Sequence, residues 1–231
     1  MTTTNAIPAG VWVVIAAYNE GTSLTETLRG LVGVVPNIVV VDDGSDDDTS
    51  THASAFPVWL LQHLVNRGQG AALQTGIDFA LKNGATAIVT FDADNQHDRA
   101  DIPAMLAPVL SGEADVTLGS RFKGHTVGIP FTRLIVLKLG IVFTRLVSRI
   151  SVTDTHNGFR CFSREAAKTI RITQDRMAHA SEILDEICQH KLCYVEVPVT
   201  IRYTAKSIAK GQSSWAAARI VWQFLLGRSI R

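Results

Sequence analysis

Two carboxylates one residue apart, Asp92 and Asp94, follow the apolar run Ala85–Thr90 in the segment Phe91-Asp92-Ala93-Asp94-Asn95-Gln96-His97. The run reads as the end of a buried strand, so both carboxylates leave a sheet edge together. Oxygen ligands at this density, with Gln96 close behind, suit a hard divalent cation such as Mg²⁺ or Mn²⁺. A second acidic strand end, Ile38-Val39-Val40-Val41-Asp42-Asp43-Gly44-Ser45, lies upstream. In an open α/β sheet, ligands bind at the carboxyl ends of strands. Together these strand ends predict metal-assisted chemistry on a phosphate-bearing substrate.

The elements that must position them alternate along the chain. Val11–Ala16, Asn37–Val41, Val58–Leu61, Ala87–Phe91 and Asp115–Leu118 read as strands, short and rich in β-branched residues. Between them, helices are expected from Thr22 or Ser23 to about Val32, over Ser45–Ala55, over Ala71–Lys82 and over Ile102–Leu110. This rhythm predicts an α/β fold with a mainly parallel, doubly wound sheet. After Gly119 the pattern changes. Arg121–His125 reads as a basic loop and Ile129–Ile150 as a long helical stretch. Asp154–Arg160 reads as a loop, Ser163–Ile170 and Ser181–His190 as helices, Tyr194–Ile201 as a strand near a sheet edge, and Ser214–Leu226 as a final helix.

Composition removes several function classes. A chain of 231 residues with 46% hydrophobic and 19% charged residues can bury a full core and is not disordered. A net charge of +1 leaves no positive excess for a nucleic-acid backbone. Cys161, Cys188 and Cys193 have neither metal-site nor disulfide-framework spacing and read as thiols of a reducing compartment. The start Met1-Thr2-Thr3-Thr4-Asn5 has no signal core, and Ile129–Ile150 is interrupted by Arg133, Lys138, Arg145 and Arg149, so no membrane span is expected.

Six elements in order carry a resemblance: Ala17-Tyr18-Asn19-Glu20; Val41-Asp42-Asp43-Gly44-Ser45 with Asp47 and Thr49; Asn66-Arg67-Gly68-Gln69-Gly70; Asp92-Ala93-Asp94 with Gln96 and His97; Gly119-Ser120-Arg121; and Thr155-His156-Asn157-Gly158-Phe159-Arg160. The chain resembles family 2 glycosyltransferases of the GT-A fold over about Val13 to Gln212, in the branch of dolichyl-phosphate and polyprenyl-phosphate sugar transferases. The resemblance implies one domain over residues 1–231, with a donor part at about 10–120 and an acceptor part at about 121–231. It implies transfer of a sugar from a UDP- or GDP-sugar, with inversion. Ala17, Tyr18 and Glu20 would border the nucleotide pocket. Asp42 would face the base or ribose, and Asp92 the ribose or diphosphate. Asp94 and Gln96 would hold Mg²⁺ or Mn²⁺ against the diphosphate, where the cation offsets charge building on the leaving group. Arg67, at a helix N-terminus, would also suit the diphosphate.

On the acceptor side the resemblance places Asp154 as the acidic residue, with Glu182 or Asp185 as further candidates. A phosphate acceptor is already anionic and needs cations more than a base. Arg121 and Arg160 rank first for that role, followed by Arg202, Lys206 and Lys210, with Lys123 and Arg133 as weaker candidates. The implied acceptor is a polyprenyl phosphate at a membrane surface. Ile129–Ile150 and the helix carrying Trp215, Trp222 and Phe224 combine apolar bulk with cations, which suits peripheral contact on the cytoplasmic face. Rival readings are extension of a lipid-linked glycan, an inactive nucleotide-sugar binder, and a nucleotidyltransferase. The last is opposed by the first loop, which lacks a glycine-rich basic run. Oligomeric state is not legible.

Overall fold

The structure, a computed structural model, describes residues 6–129, 134, 137, 138, 141, 150–174 and 178–203. In chain order the elements are β1 (Val11–Ala17), α1 (Gly21–Leu31), β2 (Asn37–Asp42), α2 (Thr49–Ser54), β3 (Trp59–Gln62), α3 (Gln69–Lys82) and β4 (Ala87–Thr90). A 3-10 turn (Arg99–Asp101) then leads into α4 (Ile102–Leu110), β5 (Val116–Val127), β6 (Arg160–Ser163), α5 (Arg164–Thr169), α6 (His179–Gln189) and β7 (Tyr194–Arg202). The seven strands form one sheet in the order β3-β2-β1-β4-β6-β5-β7. β1 pairs in parallel with β2 and β4, β2 with β3, and β5 with β7, while β6 runs antiparallel between β4 and β5.

The alternation of side chains along β1 explains the layers. Val11, Val13, Ile15 and Ala17 face a core shared with Leu24, Leu28 and Leu31 of α1 and Ile102, Met105 and Leu106 of α4. Trp12 and Val14 face the other core, with Ala72, Leu73 and Ile77 of α3 and Ile183, Leu184 and Ile187 of α6. A strand covered on both faces reads as a continuous apolar run, as observed in β1, in Ile38–Val41 of β2 and in Ala87–Val89 of β4. Each fully buried aliphatic side chain contributes about 1.5–3 kcal/mol, which makes this double layer the main source of rigidity under the site. Gly76 lets α3 lie directly on the sheet, since a Cβ there would collide with Val14.

Several boundaries depart from the sequence reading. Neither Thr22 nor Ser23 caps α1. The chain turns at Asn19, whose φ is +53°, and α1 starts at Gly21. The amides of Asn19, Glu20 and Gly21 donate to Ser45 Oγ (3.0 Å), Thr49 Oγ1 (2.9 Å) and Asp47 Oδ2 (3.4 Å). The loop before α2 therefore serves two helix starts, and α2 shrinks to Thr49–Ser54 because Asp47 accepts the Thr49 amide at 2.9 Å. Arg121–His125 is not a loop. β5 runs through it to Val127, because β7 supplies a partner with His125 opposite Thr200 and Val127 opposite Arg202. Lys206, Lys210, the helix expected at Ser214–Leu226 and most of Ile129–Ile150 lie outside the described residues. No described helix is long and apolar enough to cross a membrane.

Candidate active site

β1 is the strand from which the parallel order runs out in both directions, to β2 on one side and β4 on the other. The crevice beyond the carboxyl ends of such neighbours is the standard ligand position of an open sheet. A cleft of about 520 Å³ lies there, lined from β1 by Ala16, Ala17, Tyr18 and Glu20, and from the segment after β4 by Asp92, Ala93, Asp94, Gln96 and His97. Asp43, Asn66, Gly68 and Gln69 form one further wall, and Arg121, His156, Gly158 and Ile201 the opposite one.

Asp92 is held from three sides. His97 Nε2 sits 2.8 Å from its Oδ2, Gln69 Nε2 donates to Oδ1 at 3.2 Å, and Gly158 lies so close that a Cβ would overlap both carboxylate oxygens. Burial pushes the Asp92 carboxyl up, but the charge and hydrogen bond of His97, with His179 and Arg160 behind, outweigh it and hold the group below its ordinary value. His97 is itself buried between Phe91 and Phe159, with ring centroids 5.1 Å away in each case. It supports Asp92 from behind.

Asp94 has the opposite balance. Burial first, then the neighbouring Asp92 charge, raises its carboxyl to about 6, against lowering by His97 and by the Gln96 amide. That amide donates to Oδ1 at 3.1 Å, and the Gln96 side chain donates to Oδ2. Asn95 takes φ +58° to make this turn, and its side chain is tied to Glu26 at 3.0 Å. Two crowded carboxylates and an amide oxygen are a hard donor set that a divalent cation would relieve. Such a donor set suits a hard cation held by one or two side chains, as Mg²⁺ commonly is. Among the described residues no group of three His, Cys, Asp or Glu that could hold a metal is found.

Several predicted residues sit elsewhere. The Asp42 carboxylate folds back on Ser45, accepting its amide at 3.0 Å and its hydroxyl at 2.5 Å, and Asp42 is absent from the cleft wall. Its neighbour Asp43 is on that wall. The amides of Arg67 and Gly68 donate to Asp43 at 3.0 and 2.6 Å, and Arg67 is exposed and not among the lining residues.

Asp154 is buried behind the opposite wall. Its Oδ2 accepts from the Arg121 amide (3.1 Å), Arg121 Nε (2.6 Å) and Asn157 Nδ2 (3.4 Å), and its Oδ1 from the His156 amide (3.4 Å). A carboxylate engaged in this way orients Arg121, and Asp154 is not among the residues that line the cleft. Arg160 is likewise buried. Its guanidinium donates to Thr155 O (3.4 Å) and Ala180 O (3.1 Å), and burial lowers it to about 10 despite Asp92 and Asp154 nearby. It underlies the cleft without lining it. Arg202 forms an exposed ion pair with Asp98 at 2.7 Å, also off the cleft. Glu182 is a clamp, accepting the Thr173 and Gln174 amides at 3.1 and 2.9 Å, and both it and Asp185 are buried in place of forming a solvated helix face.

Arg121 remains as the cation among the described lining residues. Asp154 orients its Nε, Tyr203 Oη accepts from Nη1 at 2.5 Å, and His156 O accepts from Nη2 at 3.2 Å. Burial opposes its charge, and Asp154 and Tyr203 restore it to a net rise. Burial also pushes the His156 imidazole down, with Arg121 and Arg160 adding to the effect against Asp154. Asp43, Gln69 and Gly158 stand in the same motifs, which are the sequence signal for them. Tyr203 reaches Arg121 across 82 residues of sequence.

An open sheet of this order, with an acidic cleft at its switch point, is an α/β domain of the GT-A fold. The chain belongs to glycosyl transferase family 2, whose model matches residues 12–171, and it is a glycosyltransferase. An uncharacterised protein of Methanocaldococcus jannaschii is 38% identical, with 94% of this chain and 91% of that protein covered. The UDP-N-acetylglucosamine–dolichyl-phosphate N-acetylglucosaminyltransferase of Methanococcus voltae is 31% identical, covering 94% and 95%. Among solved structures, glucosyl-3-phosphoglycerate synthase from Mycobacterium tuberculosis in complex with Mn²⁺, UDP and phosphoglyceric acid has a TM-score of 0.73 at 17% identity, covering 93% of this chain and 75% of that one.

Proposed function

We propose that this glycosyltransferase moves a sugar from a UDP- or GDP-sugar to a polyprenyl phosphate, with inversion at the anomeric carbon. The observation that carries the reading is the part of the cleft lining formed by Arg121, His156, Gly158 and Ile201. It presents the Arg121 guanidinium, with Asp154 turned behind it as counter-charge. A hydroxyl acceptor needs a base within hydrogen-bond reach. A phosphate acceptor needs a cation, and its oxygen can attack without losing a proton. Three of the five Arg121 N–H groups have partners among the described residues, which leaves two for such an oxygen. The names of relatives support the same acceptor, including the Methanococcus enzyme and a polyprenol monophosphomannose synthase of Mycolicibacterium smegmatis, 29% identical over 87% of this chain.

In this reading Ala17, Tyr18, Glu20, Asp43 and Gln69 surround the nucleotide, and Asp92 meets the ribose or diphosphate. Asp94 and Gln96 would hold Mg²⁺ or Mn²⁺, which when bound neutralises charge on the departing diphosphate. Without the cation, Asp92 and Asp94 repel the donor. Attack from the Arg121 wall, opposite the leaving group, gives inversion. The donor part is about residues 10–120 and the acceptor part about 121–231. We place the enzyme on the cytoplasmic face of a membrane, docked through Ile129–Ile150 and Ser214–Leu226, whose apolar residues and cations suit an anionic lipid surface.

The test is product mass spectrometry with purified protein, Mn²⁺, short-chain polyprenyl phosphate and a panel of UDP- and GDP-sugars. A polyprenyl-phosphate monosaccharide from one donor is the expected product. Turnover only with a hydroxyl or glycan acceptor overturns the reading.

A further inference from the structure

We propose that His63 is a positioning residue for the donor half of the site, acting through Asp43 on the loop that walls the cleft. The inference rests on the donor reading above. β2 and β3 end in register, Asp42 opposite Gln62, and the His63 amide extends the ladder by donating to Asp42 O at 2.9 Å. Asp43 and His63 thus emerge side by side. His63 Nδ1 lies 2.6 Å from Asp43 Oδ1, and Nε2 lies 3.0 Å from Thr75 Oγ1 on α3. A carboxylate only accepts, so Nδ1 carries the proton. The imidazole, 11% exposed, bridges a strand end to the helix that opens beside the cleft.

The other donors to Asp43 are the successive amides of Arg67 and Gly68. Such a pair forms a concave nest that takes an anion, and here Asp43 fills it. Gly68, at φ +100°, then starts α3, so the nest sets where Gln69 begins. Gln69 reaches Asp92 at 3.2 Å, and Asn66 and Gly68 line the cleft beside it. A second pin holds the same loop, because a Cβ at Gly44 would come within 2.7 Å of the Val65 carbonyl carbon and 2.8 Å of the Asn66 nitrogen. His63 does not line the cleft, and its effect passes through Asp43, the nest and Gln69.

Three variants test this: His63→Ala, His63→Gln and His63→Asn, the last able to place an N–H where Nδ1–H stands. The readouts are calorimetric titration with UDP and with GDP in Mn²⁺, kcat and KM for the donor, and hydrogen exchange at the Arg67 and Gly68 amides. In His63→Ala, nucleotide affinity falls about 10-fold, as loss of one hydrogen bond to a charged group implies. KM rises in step, kcat changes little, and both amides exchange faster. His63→Asn restores most of the affinity and protection, and His63→Gln does not. Unchanged amide exchange in His63→Ala overturns the inference whatever the donor is. So does a fall in kcat matching the fall in affinity with no rescue by Asn. Failure of the wild-type protein to bind either nucleotide overturns the donor reading instead, and amide exchange still decides the His63–Asp43–nest linkage.

Discussion

Asp94 is a carboxylate whose ionisation the fold opposes, and replacing it should stabilise the protein while destroying its response to metal. Its carboxyl rises from 3.8 to about 6 through burial and the charge of Asp92. At about 1.4 kcal/mol for each tenfold in proton affinity, the rise corresponds to roughly 3 kcal/mol. The sign follows from linkage. The folded state prefers the neutral acid, so the associated stability is fully present below pH 3.8 and is lost as pH climbs through about 6. At pH 8 the wild-type protein carries the whole penalty, and Asp94→Asn carries none of it. Asparagine offers one oxygen where Gln96 now donates to two, and the lost hydrogen bond returns about 1 kcal/mol.

The expected net gain is about 2 kcal/mol at pH 8, or roughly 4–8 °C in Tm for a domain of this size. Thermal unfolding of both proteins from pH 4 to pH 8, with and without Mn²⁺, measures it. The gap should open between pH 4 and pH 7 and be nearly closed at pH 4. Mn²⁺ should raise the wild-type Tm at pH 8, because a cation that binds only the folded form stabilises it. It should move Asp94→Asn little, and turnover should be lost in that variant. A variant no more stable than wild type at pH 8 would refute the reasoning. So would a gap that persists at pH 4, or equal Mn²⁺ stabilisation of both proteins.

Other perturbations separate the walls of the cleft. Arg121→Ala leaves Asp154 buried without its counter-charge and should cost about 3–5 kcal/mol in urea unfolding. The double variant Arg121→Ala/Asp154→Asn should recover much of that stability and none of the phosphate-acceptor turnover. Gly158→Ala forces a Cβ onto both Asp92 oxygens and should cost about 1–3 kcal/mol in stability, with a larger fall in kcat than in donor affinity. His156→Ala should leave turnover with a phosphate acceptor within a few-fold. A loss of about 100-fold or more, the size typical of a removed general base, would favour a hydroxyl acceptor instead.

What the sequence could convey depended on how local each determinant was. β1, β2 and β4 were legible because strands covered on both faces read as continuous apolar runs, and α3 and α4 because their ends are marked nearby. The outer half of β5 was not legible. Arg121–His125 is polar, and the strand carries on across it only because β7, far along the chain, resumes pairing at His125 after an irregularity that begins at Ser120. Which of Asp42 and Asp43 lines the cleft is hidden from the sequence for a related reason. At a strand end adjacent side chains point to opposite faces, so a motif names the pair without saying which member turns to the ligand. Asp42 closes a turn on Ser45, and Asp43 gathers the loop that walls the cleft.

Asp154 and Arg121 show the same limit more sharply. Both stand in or beside motifs, one reading as an acid and the other as a cation. Their contact at 2.6 Å changes what each can do. Once paired, the carboxylate becomes scaffold and the guanidinium becomes the group presented to the cleft. Arg160 shows the converse, since it has the residue type for binding an anionic acceptor but is buried off the cleft lining, its Nη2 donating to Thr155 O and Ala180 O. A charged residue in a motif thus announces that charge is needed near the site. Burial and pairing decide which charge is presented, and here they leave Asp92, Asp94 and the guanidinium of Arg121 on the cleft lining.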